Sequence, residues 1–312
     1  MTQMSAPASF RRAVPNDATV STWPARDGWP LRRFDWPGCG RGAILFQTGR
    51  ADVFEKYLES FAHWHASGWS VTSLDWRGQG GSGRLSDDAR VGHADDFRPW
   101  VDDLRAFWDA WNRGPGPRVA IGHSMGGHLI LQALLEGAID PDAAVLVAPM
   151  LGIRAPLNAM LGERLADFMR RRGDPARPAW KASDKPGNRL KRQRMLTGDA
   201  SRYDDEQWWY EQVPEIKLGP PSWAWLAEAF AATREQRTDA RLSTLDTPIQ
   251  MLVAERDALV DSRSALAVAE RLPDVELVRF GPESGHEILR EADPVRDRAL
   301  AAIDRFLTER AP

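Results

Sequence analysis

Short apolar runs alternate with longer amphipathic stretches along most of this chain. Residues 43–46, 69–75, 118–121, 144–147 and 249–253 have the length and apolar content of buried strands, and residues 275–280 alternate apolar and polar positions. Between them, residues 53–66, 95–111, 127–135 and 262–271 carry apolar positions at helical spacing, and a terminal helix begins near Pro294. Strands alternating with helices predict an α/β fold: a mostly parallel central sheet with helices on both faces. The first 30 residues read as a loose lead-in ending in a hairpin, with strands at 18–23 and 31–36 around an Asp27-Gly28 turn. From about Gly152 to Asp246 no strand is evident, and helical segments are separated by Pro and Gly. The expected organisation is therefore a main domain in two parts, residues 1–150 and 247–312, interrupted by a helical cap at 151–246.

One pentapeptide, Gly122-His123-Ser124-Met125-Gly126, stands between a predicted strand and a predicted helix. That context suits a G-x-S-x-G nucleophile elbow, whose turn is too sharp for side chains two residues before and after the serine. A serine hydroxyl needs a base within hydrogen-bond reach, itself oriented by a carboxylate. In the order Ser…Asp/Glu…His that accompanies such an elbow, His286 alone of the six histidines qualifies. It follows the last predicted strand, at the carboxyl edge of the sheet where open α/β sheets bind ligands. For the acid, Asp257 sits on the tight turn directly after the 249–253 strand. Glu255 is the weaker alternative, and Asp261 has the position of a helix N-cap. An oxyanion formed on the substrate needs two N–H donors. The expected pair is Met125 N–H, after the nucleophile, and Arg50 N–H, in the loop where Gly49 permits a close backbone approach.

The remaining histidines have ordinary explanations. His123 packs or bonds locally, His128 packs against the sheet, and His93 makes a structural contact. His63 and His65 lie on a surface helix without a metal-ligand pattern. The glycine-rich segment 77–83 lacks the Lys and Ser/Thr ending of a phosphate-binding loop and does not open a helix, so it is read as a tight turn beside the site.

Composition narrows the setting. The single cysteine, Cys39, excludes an internal disulfide and fits a reducing compartment. No long apolar stretch follows the first residues and no window nears 18 uninterrupted apolar residues, so neither a secretory signal nor a spanning helix is expected. A cytoplasmic location follows, with peripheral attachment to the inner face of the membrane as a variant. A net charge of −3 gives no reason to expect nucleic acid.

Taken together, Thr48-Gly49-Arg50, Lys56-Tyr57, the segments 75–83, 92–97 and 101–104, Gly122 through Gly127, the turn at Asp257 and Gly285-His286-Glu287 resemble the α/β-hydrolase superfamily. The resemblance is to its bacterial lysophospholipase and monoacylglycerol lipase family, covers about two thirds of the chain, and fades across the cap. It implies a cofactor-free hydrolase of single-chain acyl esters with Ser124, Asp257 and His286 at the triad positions. Monoacylglycerol lipases usually have His-Gly where this chain has Thr48-Gly49, a departure that favours the lysophospholipase branch.

The cap is basic. From Arg164 to Arg194 there are eleven Lys/Arg against Asp167, Asp174 and Asp184. This is either a solvated face or an attraction to phosphate, on a lipid headgroup or an anionic membrane surface. Trp208, Trp209, Tyr210, Trp223 and Trp225 either pack the cap on the main domain, line an acyl-chain tunnel or touch a bilayer. The expected function is a serine carboxylester hydrolase on lysophospholipids, with monoacylglycerols or general carboxylic esters next and amides more distant. A non-catalytic ligand-binding protein on a hydrolase scaffold is the alternative of another class.

Overall fold

The computed structural model describes residues 8–155, 158–181 and 186–312. After a short helix α1 (Ala8–Arg11), β1 (Thr19–Pro24) and β2 (Pro30–Trp36) form the expected hairpin. Gly28 closes its turn at φ +84°, a left-handed position that glycine adopts at little steric cost. Then come β3 (Gly42–Gln47), α2 (Leu58–Ala66), β4 (Trp69–Leu74), α3 (Arg98–Trp111), β5 (Arg118–His123), α4 (Met125–Leu135) and β6 (Ala143–Val147). Four helices follow without an intervening strand among the described residues: α5 (Ala159–Arg170), α6 (Pro186–Leu196), α7 (Ala200–Gln212) and α8 (Trp223–Thr238). The sheet resumes with β7 (Ile249–Ala254), α9 (Ser262–Ala269), β8 (Val275–Phe280) and α10 (Asp293–Arg310).

All eight strands join one sheet in the order β1-β2-β4-β3-β5-β6-β7-β8, antiparallel for β1, β2 and β4 and parallel from β4 onward. Strand alternation sends Ile44, Phe46, Val119 and Ile121 into a core with α2 and α10. Leu45, Ala120, Leu146 and Met251 enter a second core with α3, α4 and α9. β5 and β6 are buried on both faces, as strands covered by helices on either side must be.

Two helix starts differ from expectation. The stretch from 53 opens as a 3₁₀ turn, Phe54–Tyr57, before α2. The helix expected from 95 begins only at Arg98, because Asp96 Oδ1 accepts the Arg98 N–H at 2.8 Å and Pro99 suits the first helical turn. Of the aromatic residues between β6 and β7, Trp209 and Tyr210 pack into the α2/α10 core and Trp225 into the α3/α4 core. Trp180 stands half exposed. Of the basic stretch, Lys185 and its counter-charge Asp184 lie outside the described residues. No helix among the described residues is long and apolar enough to cross a membrane.

Because β3 lies between β4 and β5, the chain leaves its carboxyl end toward one neighbour and later returns on the other side. Such a switch point opens a crevice at the strand ends. The carboxyl ends of β3 and β5 carry Thr48-Gly49-Arg50 and Ser124.

Candidate active site

Ser124 joins β5 to α4 at φ +53°, ψ −117°, a conformation that side chains rarely adopt. A Cβ on Gly122 would lie 2.6 Å from the carbonyl carbon of Gly126, and one on Gly126 would lie 2.4 Å from Gln47 O. Both glycines are therefore required by backbone contacts. The turn is held by Ser124 N–H donating to Val147 O at 3.0 Å and Met150 N–H donating to Ser124 O at 2.9 Å.

His286 Nε2 stands 2.9 Å from Ser124 Oγ, and its Nδ1 stands 2.5 Å from Asp257 Oδ2. Asp257 Oδ1 accepts the N–H groups of Leu259 at 2.7 Å and Val260 at 3.0 Å. His286 and Asp257 are buried, while Ser124 keeps accessible surface. Burial alone would raise the Asp257 carboxyl, yet the His286 imidazole and the two backbone donors hold it below the usual range. Burial likewise opposes a charged His286, but the Asp257 carboxylate overrides it and lifts the imidazole above its ordinary value. The other two candidate acids lie elsewhere. Glu255 pairs with Arg279 on the surface, and Asp261 occupies the N-cap of α9, its carboxylate accepting from Ser264 Oγ.

The loop after β3 approaches the serine closely, since a Cβ on Gly49 would lie 3.1 Å from Ser124 Cβ. Its N–H groups are divided. Gly49 N–H donates to Asp52 Oδ2 and Ala51 N–H to Gln79 Oε1, whereas Arg50 N–H between them has no acceptor among the described residues. Met125 N–H, at the first position of α4, is equally without one.

Beneath the site lies a buried polar network that sequence reasoning missed. His123 Nδ1 meets Tyr57 Oη at 2.8 Å and Asp52 Oδ2 at 3.2 Å, and its Nε2 donates to His286 O at 3.3 Å. Lys56 Nζ lies 2.8 Å from Asp52, 3.1 Å from Glu206 on α7 and 2.6 Å from Glu287. Arg290 completes it by pairing with Glu287. Burial works against the Lys56 charge, but three carboxylates push its pKa up. Gln79 was also missed; the glycine-rich turn holds it so that its carboxamide props the loop after β3. The turn itself is structural: Gly80 sits at φ +49° with no room for a Cβ beside Asp75, whose Oδ2 accepts Gly81 N–H at 2.8 Å.

The other histidines are bound up in structure. His128 bonds Gln236 of α8 at 2.8 Å and is pushed down to about 4 by burial. His93 meets Ser222 Oγ, and His63 meets Asp304. No metal-holding group of His, Cys, Asp and Glu occurs among the described residues. The basic run shows partners of its own: Arg170 and Arg171 pair with Asp167, and Arg172 lies over Phe168.

Residues 38–293 match the family model described as serine aminopeptidase, S33. Lysophospholipase L2 of Escherichia coli K12 is 31% identical over 281 residues, covering 84% of this chain and 79% of that protein. The probable lysophospholipase L2 of Haemophilus influenzae is 26% identical over 276 residues, covering 86% and 84%. Among solved structures, a soluble variant of monoglyceride lipase from Saccharomyces cerevisiae superposes with a TM-score of 0.76 at 18% identity, covering 97% of this chain and 98% of that one. The monoacylglycerol lipase of Paleococcus ferrophilus gives 0.72 at 17% identity, covering 90% and 99%.

Proposed function

The chain belongs to the serine aminopeptidase S33 family of α/β-hydrolases and is a carboxylester hydrolase, and from that premise we propose that it cleaves the acyl ester of lysophospholipids through Ser124, His286 and Asp257. The observation that carries the reading is the unbroken line from Ser124 Oγ through His286 to Asp257. Ser124 Oγ attacks the ester carbonyl while His286 Nε2 takes its proton and Asp257 steadies the imidazolium. Met125 N–H and Arg50 N–H, both without another acceptor among the described residues, receive the oxyanion. His286 then protonates the leaving glycerol oxygen, and water cleaves the acyl-enzyme by the reverse route.

Lysophospholipid is preferred as substrate because the relatives matched over 79% and 84% of their length carry that activity in their names. Monoacylglycerol is the second reading, favoured by the fold neighbours. A fluorophosphonate probe tests the nucleophile: it should label the wild type and not Ser124→Ala, and failure to label either protein returns the chain to the binding-protein alternative. A panel of lysophosphatidyl esters, monoacylglycerols, p-nitrophenyl esters and aminoacyl amides ranks the substrates.

The helices between β6 and β7 act, on this reading, as a cap that meets lipid. Met160, Leu161, Leu165 and Phe168 are exposed along α5, with Arg164, Arg170, Arg171 and Arg172 beside them. An apolar stripe rimmed by arginine suits peripheral contact with an anionic bilayer. Sedimentation with anionic but not neutral vesicles is the expected result, and equal binding to both removes the electrostatic part.

A further inference from the structure

Arg50 brings a backbone N–H to this site, yet its side chain has a separate situation. The residue is partly buried, Nη1 donates to Gly219 O at 2.9 Å, and the guanidinium lies 5.4 Å from the centroid of the Trp225 ring. A Cβ on Gly92 would sit 2.9 Å from the same Nη1. The group is thus inserted between the 92 loop and the segment leading into α8. No carboxylate among the described residues lies within 4.0 Å of it. Arg32, Arg202 and Lys56, also drawn into the protein, are each matched by carboxylates, Arg32 by Glu55 and Asp75, Arg202 by Glu59, Asp199 and Asp293, and Lys56 by three. Buried Arg118 instead spends its Nη1 on three backbone carbonyls.

Burial and then the neighbouring Arg192 cation, which reaches in from α6, push Arg50 down to about 10, so it remains charged at neutral pH. A half-desolvated cation without an anion is costly to maintain. Tethering Gly219 engages one of its N–H donors. Nε and Nη2 have no acceptor among the described residues, and neither is among the sealed polar atoms left without a partner, so both open onto accessible space.

We propose that the Arg50 guanidinium is an anion-binding group of the ester site and takes the phosphate of the substrate. The proposal rests on the reading of Ser124 as nucleophile and supplies the headgroup contact that reading lacks. Gly49, bonded to Arg50, is the residue that abuts Ser124. On this proposal one residue addresses both ends of a glycerol unit, its N–H the carbonyl oxygen of the ester and its side chain the phosphate. A guanidinium offers that oxyanion a planar pair of donors. Arg192 adds positive charge to the same place although it is itself paired with Glu206. Arg170 and Arg171, which the basic run also offers, already have Asp167.

Calorimetric titration of the full chain with dodecyl phosphate and with uncharged 1-O-dodecylglycerol, both below their critical micelle concentrations, tests this without depending on turnover. The wild type should bind the phosphate amphiphile at least about tenfold more tightly, the worth of a charge-assisted hydrogen bond. Arg50→Met should lose that preference and Arg50→Lys regain part of it. The kcat/KM ratio of a lysophosphatidylglycerol to its matching monoacylglycerol should fall by about tenfold in Arg50→Met. Equal binding of the two amphiphiles by the wild type overturns the proposal and requires no variant to fold; an undiminished preference in Arg50→Met also overturns it. Inorganic phosphate competing at equal affinity assigns the subsite to free phosphate, whereas competition by the amphiphile alone assigns it to a lipid headgroup. A wild type that binds phosphate selectively but cleaves no ester sustains the subsite and refutes the hydrolase reading.

Discussion

Replacing Asp257 by asparagine changes one atom in the line that ends at Ser124, and the surroundings dictate how the new amide must sit. Asp257 Oδ1 accepts two backbone N–H groups, from Leu259 and Val260, so the asparagine oxygen has to remain there. The amide nitrogen then faces His286 Nδ1, where a carboxylate oxygen stood at 2.5 Å. Two donors cannot share that contact, so the imidazole moves its proton to Nε2 and can no longer accept one from Ser124. The expected loss in kcat is about 10⁴-fold, or about 5.5 kcal/mol of transition-state stabilisation. The pH profile carries a second signature. Only the neutral imidazole accepts the serine proton, so kcat/KM rises with pH through the His286 pKa. Asp257 holds that pKa above the ordinary imidazole value, which puts the wild-type acid limb above about pH 6.5. In Asp257→Asn the burial penalty loses its main counterweight, and the limb moves to lower pH while the plateau falls. Initial rates on p-nitrophenyl butyrate across about pH 5 to 9 measure both quantities. A variant with less than about tenfold loss, or with an unmoved acid limb, refutes the geometry from which the effect is derived.

Three further outcomes follow from single contacts. Gly126→Ala sets a Cβ against Gln47 O, a backbone atom that cannot step aside, and should cost more than about 3 kcal/mol in chemical denaturation; an unchanged midpoint contradicts the elbow. Gln79→Leu removes the acceptor of Ala51 N–H and should lower stability by about 1–3 kcal/mol, with kcat falling more than KM changes on a neutral ester. His128 titrates at about 4 in the folded chain against about 6.5 unfolded, so the unfolded chain takes the proton first as pH falls. Stability is then lost between those values at up to about 1.4 kcal/mol per pH unit, and His128→Asn should flatten that slope in urea titrations at a series of pH values.

The parallel core was legible because its strands are short apolar runs, and a strand buried on both faces has no other pattern to show. β5 and β6 illustrate this, with every residue of either strand buried. The hairpin was legible from the strand-like segments 18–23 and 31–36 around Asp27-Gly28, since few residues but glycine accept φ +84° without cost. Ser124 announced itself through two glycines whose need is local. His286 and Asp257 could be nominated because each follows a strand, although their contact joins residues 29 positions apart. The start of α3 was misplaced by three residues because Asp96 looked like helix sequence, whereas its side chain folds back onto Arg98 N–H.

What the sequence hid has a common physical character. Asp52, Lys56, Glu206, Glu287 and Arg290 are of residue types that usually face solvent, yet all are buried, as is His123, whose local packing was expected but not its partners. A charge is buried at tolerable cost only when partners from elsewhere meet it, and no local pattern announces a partner 150 or 231 positions away. The same requirement makes the network consequential. Lys56 binds Asp52, which accepts the Gly49 N–H; Glu287, which follows His286; and Glu206 on α7. His123, which precedes Ser124, donates to the backbone of His286 and leans on Asp52. One ammonium and one imidazole therefore link the loop after β3, Ser124, His286 and α7. Removing any carboxylate leaves a buried cation short of charge, so the strand ends cannot drift apart independently. The distance between Ser124 Oγ and His286 Nε2 is thereby fixed by electrostatics below the cleft as well as by the sheet that carries them.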